Sequence, residues 1–227
     1  MFFLYPDIKL KHKIINKYKI NVILDVGGHN GGYGLEMNLY GYKNKIISFE
    51  PAREPFQELQ KRAKKNPLWK CYNYALGNEE KEKSIKILKN TTASSFLEPT
   101  ELFSEIAGRF ANVIKEEIVI VKRLDQLIPV FCTPSDSILL KIDTQGFEKQ
   151  VLEGADRHLK DIQLIQLEVS FNQLYRNEPL IDEMLVYMSQ KGFIPICIEP
   201  HPFDKTTFHQ IQADILFVNT NRMIYKI

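Results

Sequence analysis

A carboxylate stands directly before a dense cluster of glycines, at the end of an apolar run. The segment Val22-Ile-Leu-Asp-Val-Gly-Gly-His-Asn-Gly-Gly32 predicts a buried strand, a sharp turn and the start of a helix. Glycines permit such a turn and let bare backbone N–H groups approach a ligand, and open α/β sheets hold nucleotide-like ligands at turns of this kind. We therefore expect a ligand site at the carboxyl end of this first strand.

The residues around the turn indicate which ligand it holds. A dinucleotide pattern, G-x-G-x-x-G, fails because Val26 or His29 falls where glycine is required. Asp25 would repel phosphates but suits an ammonium group, where a charge-assisted hydrogen bond is worth about 1.5–3 kcal/mol. Glu50 ends the next predicted strand and suits the two hydroxyls of a ribose. An ammonium and a ribose without phosphates describe S-adenosylmethionine; the alternative is a plain tight turn with Asp25 as a helix cap.

Short apolar runs alternate with helical patterns along most of the chain. This alternation predicts right-handed βαβ units, a mostly parallel sheet and helices on both faces. The link from Glu199 to Asp214 lacks a helical pattern, so the final strand is expected to run antiparallel. The predicted strands are 22–26, 45–49, 69–75, 137–142, 162–169, 195–199 and 214–218, and the predicted helices include 33–40, 54–65, 147–152 and 180–190.

The domain organisation is expected to be simple. Residues 1–20 have the spacing of an amphipathic lead-in helix, and 21–227 form the main domain. The stretch 77–136 is too long for an ordinary connection, and we interpret it as an insertion at the rim of the sheet. Within it, 84–88 and 117–121 alternate with period two and are expected to pair, and 99–110 is expected to be helical.

The composition excludes several classes of protein. Thirty basic against 28 acidic residues leave a net charge of +2, which gives no sign of a nucleic-acid, membrane or polyanion partner. Three separated cysteines without a C-x-x-C pair argue against a disulfide framework or a structural zinc site and predict a cytoplasmic location. No apolar run approaches the roughly 18 residues of a membrane helix.

Seven short segments, taken in order and spacing, carry a resemblance that spans about residues 22–218. They are Asp25-Val-Gly-Gly-His-Asn-Gly31, Phe49-Glu-Pro51, Ala75-Leu-Gly77, Ser94-Ser95, Arg123-Leu-Asp125, Leu140-Lys-Ile-Asp-Thr-Gln-Gly-Phe-Glu148 and Glu168-Val-Ser170. With these segments the chain resembles the FkbM-type S-adenosylmethionine-dependent methyltransferases. The resemblance implies an α/β class I methyltransferase fold, which is a Rossmann-like, doubly wound, seven-stranded sheet with an antiparallel last strand.

The resemblance also implies where the cofactor lies. Contacts are expected in the glycine turn and at Glu50, with 73–76 near the adenine and Asp143 beside the methyl donor. The ring of Tyr33 follows the turn, where it could lie near the sulfonium. The expected cofactor-binding residues are Asp25, Gly27, Gly28, Gly31, Tyr33, Glu50, Asn73, Ala75, Leu76 and Asp143.

Family members are mostly assigned as O-methyltransferases of sugars or other small hydroxylated molecules, in polysaccharide and natural-product pathways. The resemblance therefore implies a small-molecule or glycan acceptor, with no nucleic acid; an oligomer is compatible with it. One departure is that the turn commonly reads Ala-Asn where this chain has Gly28-His29. His29 is either a tolerated replacement or a change in how the methionine carboxylate is held.

Candidates for catalysis must lie at the carboxyl ends of the strands. Asp143 and Glu168 end adjacent predicted strands, and His201, or else His209, lies in the link before the last strand, where it could act as a base. Asp143 and Glu168 could share a divalent cation such as Mg²⁺, with Asn172 as a third ligand. The alternative is that these residues bind a sugar directly.

Further residues are expected to bind the acceptor. Ser94 and Ser95 begin the insertion, although an ordinary polar loop fits equally. Glu148 either binds the acceptor or simply lies in the first turn of a helix, where the dipole favours an acid. With Asn172, these form the expected acceptor-binding set. Two other functions stay open: a nucleic-acid methyltransferase, although Asp143-Thr-Gln-Gly departs from the Asn-Pro-Pro-Tyr type of motif, and an inactive binding module on the same fold.

Overall fold

A computed structural model of the protein describes residues 10–201, 203–204 and 207–223. Its strands are β1 (Val22–Val26), β2 (Lys45–Phe49), β3 (Trp69–Tyr72), β4 (Ala75–Leu76), β5 (Lys81–Leu88), β6 (Val113–Lys122), β7 (Ile138–Ile142), β8 (Leu164–Ser170), β9 (Phe193–Pro200) and β10 (Gln212–Asn219). Its helices are α1 (Leu10–Lys17), α2 (Gly32–Leu39), α3 (Arg53–Ala63), α4 (Glu101–Ala107), α5 (Leu124–Phe131), α6 (Glu148–Glu153) and α7 (Ile181–Gln190).

Seven strands form the main sheet in the order β3-β2-β1-β7-β8-β10-β9. The pairs from β3 to β8 are parallel, whereas β10 is antiparallel to both β8 and β9. This arrangement confirms the expected doubly wound sheet with an antiparallel last strand. The strand order reverses between β1 and β7, and in such sheets ligands bind outside the carboxyl ends at that point.

Helices cover both faces of the sheet, which explains why its central strands are buried throughout. Alternate residues of each strand point to opposite faces. Leu24 and Leu140 pack in one core with α5, α6 and α7, whereas Ile23 and Leu139 pack in a second core with α1, α2 and α3. The near-continuous apolar runs of β1 and β7 are therefore the pattern of parallel strands buried on both sides.

The third predicted strand, 69–75, is wrong as a single element. It ends at Tyr72, and Ala75–Leu76 forms β4 in a separate three-stranded sheet with the order β4-β6-β5. Asn73 lies at the break, where its side-chain amide donates to Glu50 O at 2.9 Å and Pro51 O at 3.0 Å. These bonds hold the chain where it leaves the main sheet.

The stretch interpreted as an insertion contains β5 and β6, two strands of the three-stranded sheet, and β4 lies directly before it. The predicted pairing of 84–88 with 117–121 is confirmed, since β5 and β6 are antiparallel partners. Helix α4 lies within the predicted 99–110. Of the predicted lead-in helix, 10–17 forms α1, and residues 1–9 lie outside the described part of the chain. Among the described helices, none is long and apolar enough to cross a membrane.

Candidate functional site

The glycine turn after β1 is closely packed against the next strand. Gly27 has φ +75°, and a Cβ added there would lie 1.8 Å from the backbone oxygen of Asp143. Gly31 has φ +87°, and its Cβ would lie 3.0–3.2 Å from Leu59 and Trp69. The turn is also fixed by Gly27 and Gly28, whose N–H groups both donate to Phe49 O at 3.0 Å. Both the backbone conformation and the lack of space therefore require glycine at position 27.

A cavity opens beside this turn at the carboxyl ends of β1, β2 and β7. It contains about 710 Å³ of empty space, a volume that includes open solvent at its mouth. Six of the expected site residues line it: Gly27, Glu50, Ala75, Leu76, Ser94 and Asp143. The other lining residues are Val26, His29, Phe49, Pro51, Tyr74, Ile85, Thr91, Thr92, Phe96, Thr144 and Gln145.

The lining of the cavity suits an adenosine. Phe49, Tyr74 and Leu76 provide apolar surface for a base, and Glu50 provides a carboxylate. These groups fit the adenosine part of the cofactor expected from the sequence.

Glu50 is held by the backbone on both oxygens. His29 N–H donates to Oε2 and Ala52 N–H donates to Oε1, each at 2.8 Å. Burial raises the pKa of Glu50 to about 7, although these two N–H groups act against the shift. The carboxyl group is thus fixed in position at the cavity wall before any ligand binds.

Asp25 lies behind the turn and does not line the cavity. Its side chain has no exposed surface; Oδ2 accepts a 2.7 Å hydrogen bond from Ser48, and Oδ1 lies 3.3 Å from Lys141 Nζ. Trp69 Nε1 in turn donates to Ser48 Oγ at 3.0 Å. The carboxylate that the sequence pairs with a ligand ammonium is paired here with a lysine of the neighbouring strand.

Lys141 joins the turn to Asp143. Its ammonium group lies 3.4 Å from Asp143 Oδ2 and donates to Gly27 O at 3.1 Å, in addition to its contact with Asp25. Burial alone would lower the pKa of Lys141, but the carboxylates of Asp143 and Asp25 raise it overall. Lys141 therefore stays charged and holds the turn and Asp143 in a fixed relation.

A side-chain amide connects the two expected catalytic carboxylates. Gln145 Nε2 donates to Asp143 Oδ1 at 2.8 Å and to Glu168 Oε2 at 2.6 Å. Gln212 Nε2 donates to the same oxygen of Glu168 at 2.9 Å. Burial, and then the charge of Asp143, raise the pKa of Glu168 well above its ordinary value. The expected pair is thus brought together, with a glutamine between its members.

His201 completes this group on the far side of Glu168. Its Nδ1 lies 3.5 Å from Glu168 Oε1 and its Nε2 lies 3.5 Å from Asp214 Oδ2. The hydrogen bond to Asp214 raises the pKa of His201 against the effect of burial. The alternative, His209, is exposed and makes no side-chain contact of this kind in the described residues. His201 therefore lies between two carboxyl groups, and its hydrogen bond to Asp214 favours the protonated form of the ring.

The other expected site residues lie outside the cavity. Ser95 is buried, and its hydroxyl donates to Gln145 O at 2.6 Å. Glu148 is buried beneath the loop after β7, where Oε1 accepts from the N–H groups of Thr144 at 2.8 Å and Gly146 at 3.2 Å. Burial raises the pKa of Glu148 to about 7. Asn172 is exposed just after β8. Gly28, Gly31, Tyr33 and Asn73 also do not line the cavity.

The divalent-cation expectation is not supported. Within the described ranges, no three His, Cys, Asp or Glu side chains are grouped so that they could hold a metal ion. Hard cations such as Mg²⁺ require oxygen ligands, whereas the group between Asp143 and Glu168 is the N–H₂ of Gln145. The structure therefore gives no support to the assignment of Mg²⁺ to Asp143 and Glu168.

Sequence reasoning missed Lys141 and Gln145. The sequence did carry a signal for Lys141, since a lysine inside an otherwise apolar buried strand requires a partner. The structure supplies that partner, because β1 lies beside β7 with Asp25 opposite Lys141. Gln145 left no comparable signal, because its position depends on a left-handed backbone (φ +57°) and on the distant Tyr175, whose OH lies 3.0 Å from Gln145 Oε1.

Comparison with known proteins agrees with this geometry. Residues 25–195 match the family of the methyltransferase FkbM domain. Similar solved structures include an rRNA methylase from Streptococcus thermophilus, with 11% identity over 96% of this chain and 99% of that one and a TM-score of 0.52. Another is magnesium protoporphyrin IX methyltransferase from Synechocystis PCC 6803, with 8% identity, 92% and 77% coverage and a TM-score of 0.49. No curated protein matches the chain.

At such low identity the likeness to the rRNA methylase shows the fold alone, which is the class I methyltransferase fold. The family match covers most of the chain and includes the turn, Glu50, Asp143 and Glu168. The protein belongs to the FkbM family of S-adenosylmethionine-dependent methyltransferases.

Proposed function

We propose that the protein methylates a hydroxyl group of a sugar or another small hydroxylated metabolite, in glycan or natural-product biosynthesis. The observation that carries this proposal is the convergence of Asp143, Glu168 and His201 at one edge of the cofactor cavity. Asp143 belongs both to the cavity lining and to this polar group. A hydroxyl bound at that edge would meet carboxylates that accept its proton.

The cofactor-binding half of the site is the proposed place of S-adenosylmethionine. The Glu50 carboxyl group would accept hydrogen bonds from the ribose hydroxyls, while Ala75 and Leu76 would contact the base. Asp25 acts from beneath the turn by fixing Lys141. When bound, the cofactor supplies a methyl group on a positively charged sulfur. The protein then has to orient the acceptor oxygen and exclude water.

Glu168 is the proposed proton acceptor. A sugar hydroxyl is a weak nucleophile, and a positioned base typically contributes about 10²–10⁴ in rate. The pKa of Glu168 is raised by burial and by Asp143, which brings the carboxylate closer in basicity to what proton transfer at neutral pH requires. His201 is held by Asp214 and lies next to Oε1 of Glu168, the oxygen that does not contact Gln145. In its protonated form His201 would stabilise the carboxylate form of Glu168. Glu168 would take the hydroxyl proton as the acceptor oxygen takes the methyl group, and the cofactor, its sulfur–methyl bond broken, would leave as neutral S-adenosylhomocysteine.

The experiment is a transfer assay with isotope-labelled S-adenosylmethionine. Purified protein is offered nucleotide sugars, extracted surface glycans of the producing cell and total RNA in parallel, and the labelled product is identified by mass. We expect an O-methyl ether on a sugar, together with S-adenosylhomocysteine. Label found in RNA instead would contradict the proposal. The variant Glu168→Gln is the control for background labelling, because it retains the cavity and removes the proton acceptor.

A further inference from the structure

The side chain of His29 connects the glycine turn to the opposite wall of the cavity. His29 occupies the turn with a left-handed backbone, φ +43°, that glycine adopts readily and that asparagine, aspartate and histidine adopt more often than other residues. Its N–H donates to Glu50 Oε2 at 2.8 Å, and its ring Nε2 lies 2.9 Å from Thr91 Oγ1. One residue thus contacts both the proposed ribose carboxylate and the far wall.

The far wall is the segment 91–96, which follows β5 and contributes Thr91, Thr92, Ser94 and Phe96 to the cavity lining. Its other side is anchored away from the turn. Tyr175 OH lies 2.7 Å from Ala93 O, and Ser95 Oγ donates to Gln145 O at 2.6 Å. Within the described part of the chain, the hydrogen bond between His29 and Thr91 is the one that joins 27–32 to this wall.

We propose that His29 is a positioning residue that fastens the wall 91–96 to the glycine turn and so slows release of the cofactor. The inference rests on the proposed function, because it takes the cavity to be the cofactor site. Burial lowers the pKa of His29, which keeps the ring neutral at pH 7, with one nitrogen as donor and the other as acceptor. A neutral ring also adds no positive charge beside a positively charged sulfur.

The experiment measures the rate of S-adenosylmethionine dissociation in a two-residue mutant cycle. His29→Asn retains a residue that tolerates the left-handed backbone and keeps the N–H donor to Glu50, but it is too short to reach Thr91. Thr91→Val removes the hydroxyl at nearly constant shape. Each variant is expected to release the cofactor about five- to tenfold faster, the size of one net hydrogen bond. The double variant should be no faster than the faster single variant.

Matched variants separate this hydrogen bond from general loosening. Thr91→Ser retains the hydroxyl and should retain slow release of the cofactor. Thr133→Val is the remote control, because it removes a hydroxyl that bonds to Asp136, away from the cavity. Unchanged release in Thr91→Val or His29→Asn, or multiplied effects in the double variant, would overturn the inference while the proposed function stands. A wild-type protein that does not bind S-adenosylmethionine would overturn both.

Hydrogen exchange provides a second readout that does not need the cofactor. Amide protons of 91–95 should exchange faster in His29→Asn than in the wild type, because the wall loses its bond to the turn. Equal exchange in the two proteins would contradict the fastening role.

Discussion

The two halves of the candidate site are built in different ways. In the cofactor half, backbone N–H groups make most of the hydrogen bonds that fix the site. Those of Gly27 and Gly28 close the turn, and two further N–H groups hold Glu50. In the acceptor half, Asp143, Glu168 and His201 are held mainly by other side chains. Asp143 is common to both halves.

This difference separates the effects expected from mutation. A position fixed by backbone geometry tolerates few residues, so changes there should act on cofactor binding. A position fixed by side-chain amides and charges can change while the fold persists, so changes there should act on turnover. The following predictions test that division.

The largest expected effect is on turnover in Glu168→Gln. Loss of the proposed base should reduce turnover by about 10²–10⁴-fold, because the amide cannot accept the hydroxyl proton. Cofactor affinity should change little, since Glu168 does not line the cavity. Steady-state rates and calorimetric titration of the same preparation measure both quantities. A fall in affinity as large as the fall in rate would break the division between the halves.

Glu148→Gln tests whether Glu148 is a structural residue of the acceptor half. Its pKa is raised from an ordinary 4.5 to about 7 by burial. The contribution of Glu148 to the stability of the wild type therefore falls as pH rises from about 4.5 through about 7, by about 3 kcal/mol at 1.36 kcal/mol per pKa unit. The variant does not titrate, and its single amide oxygen can replace Oε1, which accepts all the bonds from Thr144 and Gly146.

Urea unfolding between pH 4 and pH 8 measures this difference. The variant should gain stability relative to the wild type as pH rises. A difference that does not depend on pH would contradict the buried, structural role of Glu148.

Gly27→Ala tests the backbone-built half. The new Cβ would lie 1.8 Å from Asp143 O, at φ +75°. The turn must shift at a cost of about 1–3 kcal/mol, and we expect cofactor affinity to fall up to about a hundredfold. Gly32→Ala is the matched control, because its nearest contact is 3.6 Å away and no positive φ is required there. Equal cofactor affinity in the two variants by calorimetry would refute the steric argument.

The smallest effect is expected from His201→Gln. The pKa of His201 is raised by its hydrogen bond to Asp214, so the charged ring stabilises the fold fully below about pH 6.5. That contribution is lost as pH rises through the folded pKa. Because the ring is partly exposed, its contribution to the free energy of unfolding should be below about 1 kcal/mol. The free energies of unfolding of wild type and variant, measured from pH 5.5 to pH 8.5, should converge at the alkaline end. Divergence there would mean that the charged ring does not stabilise the fold.

The same contrast explains what could be predicted from the sequence. The glycine turn and Glu50 were visible because strand ends and left-handed turns leave local signatures, and the antiparallel last strand followed from the helix-free link before it. The role of Asp25 was not visible in this way, because its partner Lys141 comes from a strand 116 positions later. Gln145 was missed because its place depends on contacts with Glu168 and Tyr175, which only the folded chain brings together.

The most direct test of this two-part site is calorimetric titration of S-adenosylmethionine into three proteins: wild type, Glu50→Ala and Glu168→Gln. We expect binding by the wild type, loss of binding in Glu50→Ala and binding close to that of the wild type in Glu168→Gln. Undiminished binding in Glu50→Ala, or no binding by the wild type at millimolar cofactor, would contradict this expectation.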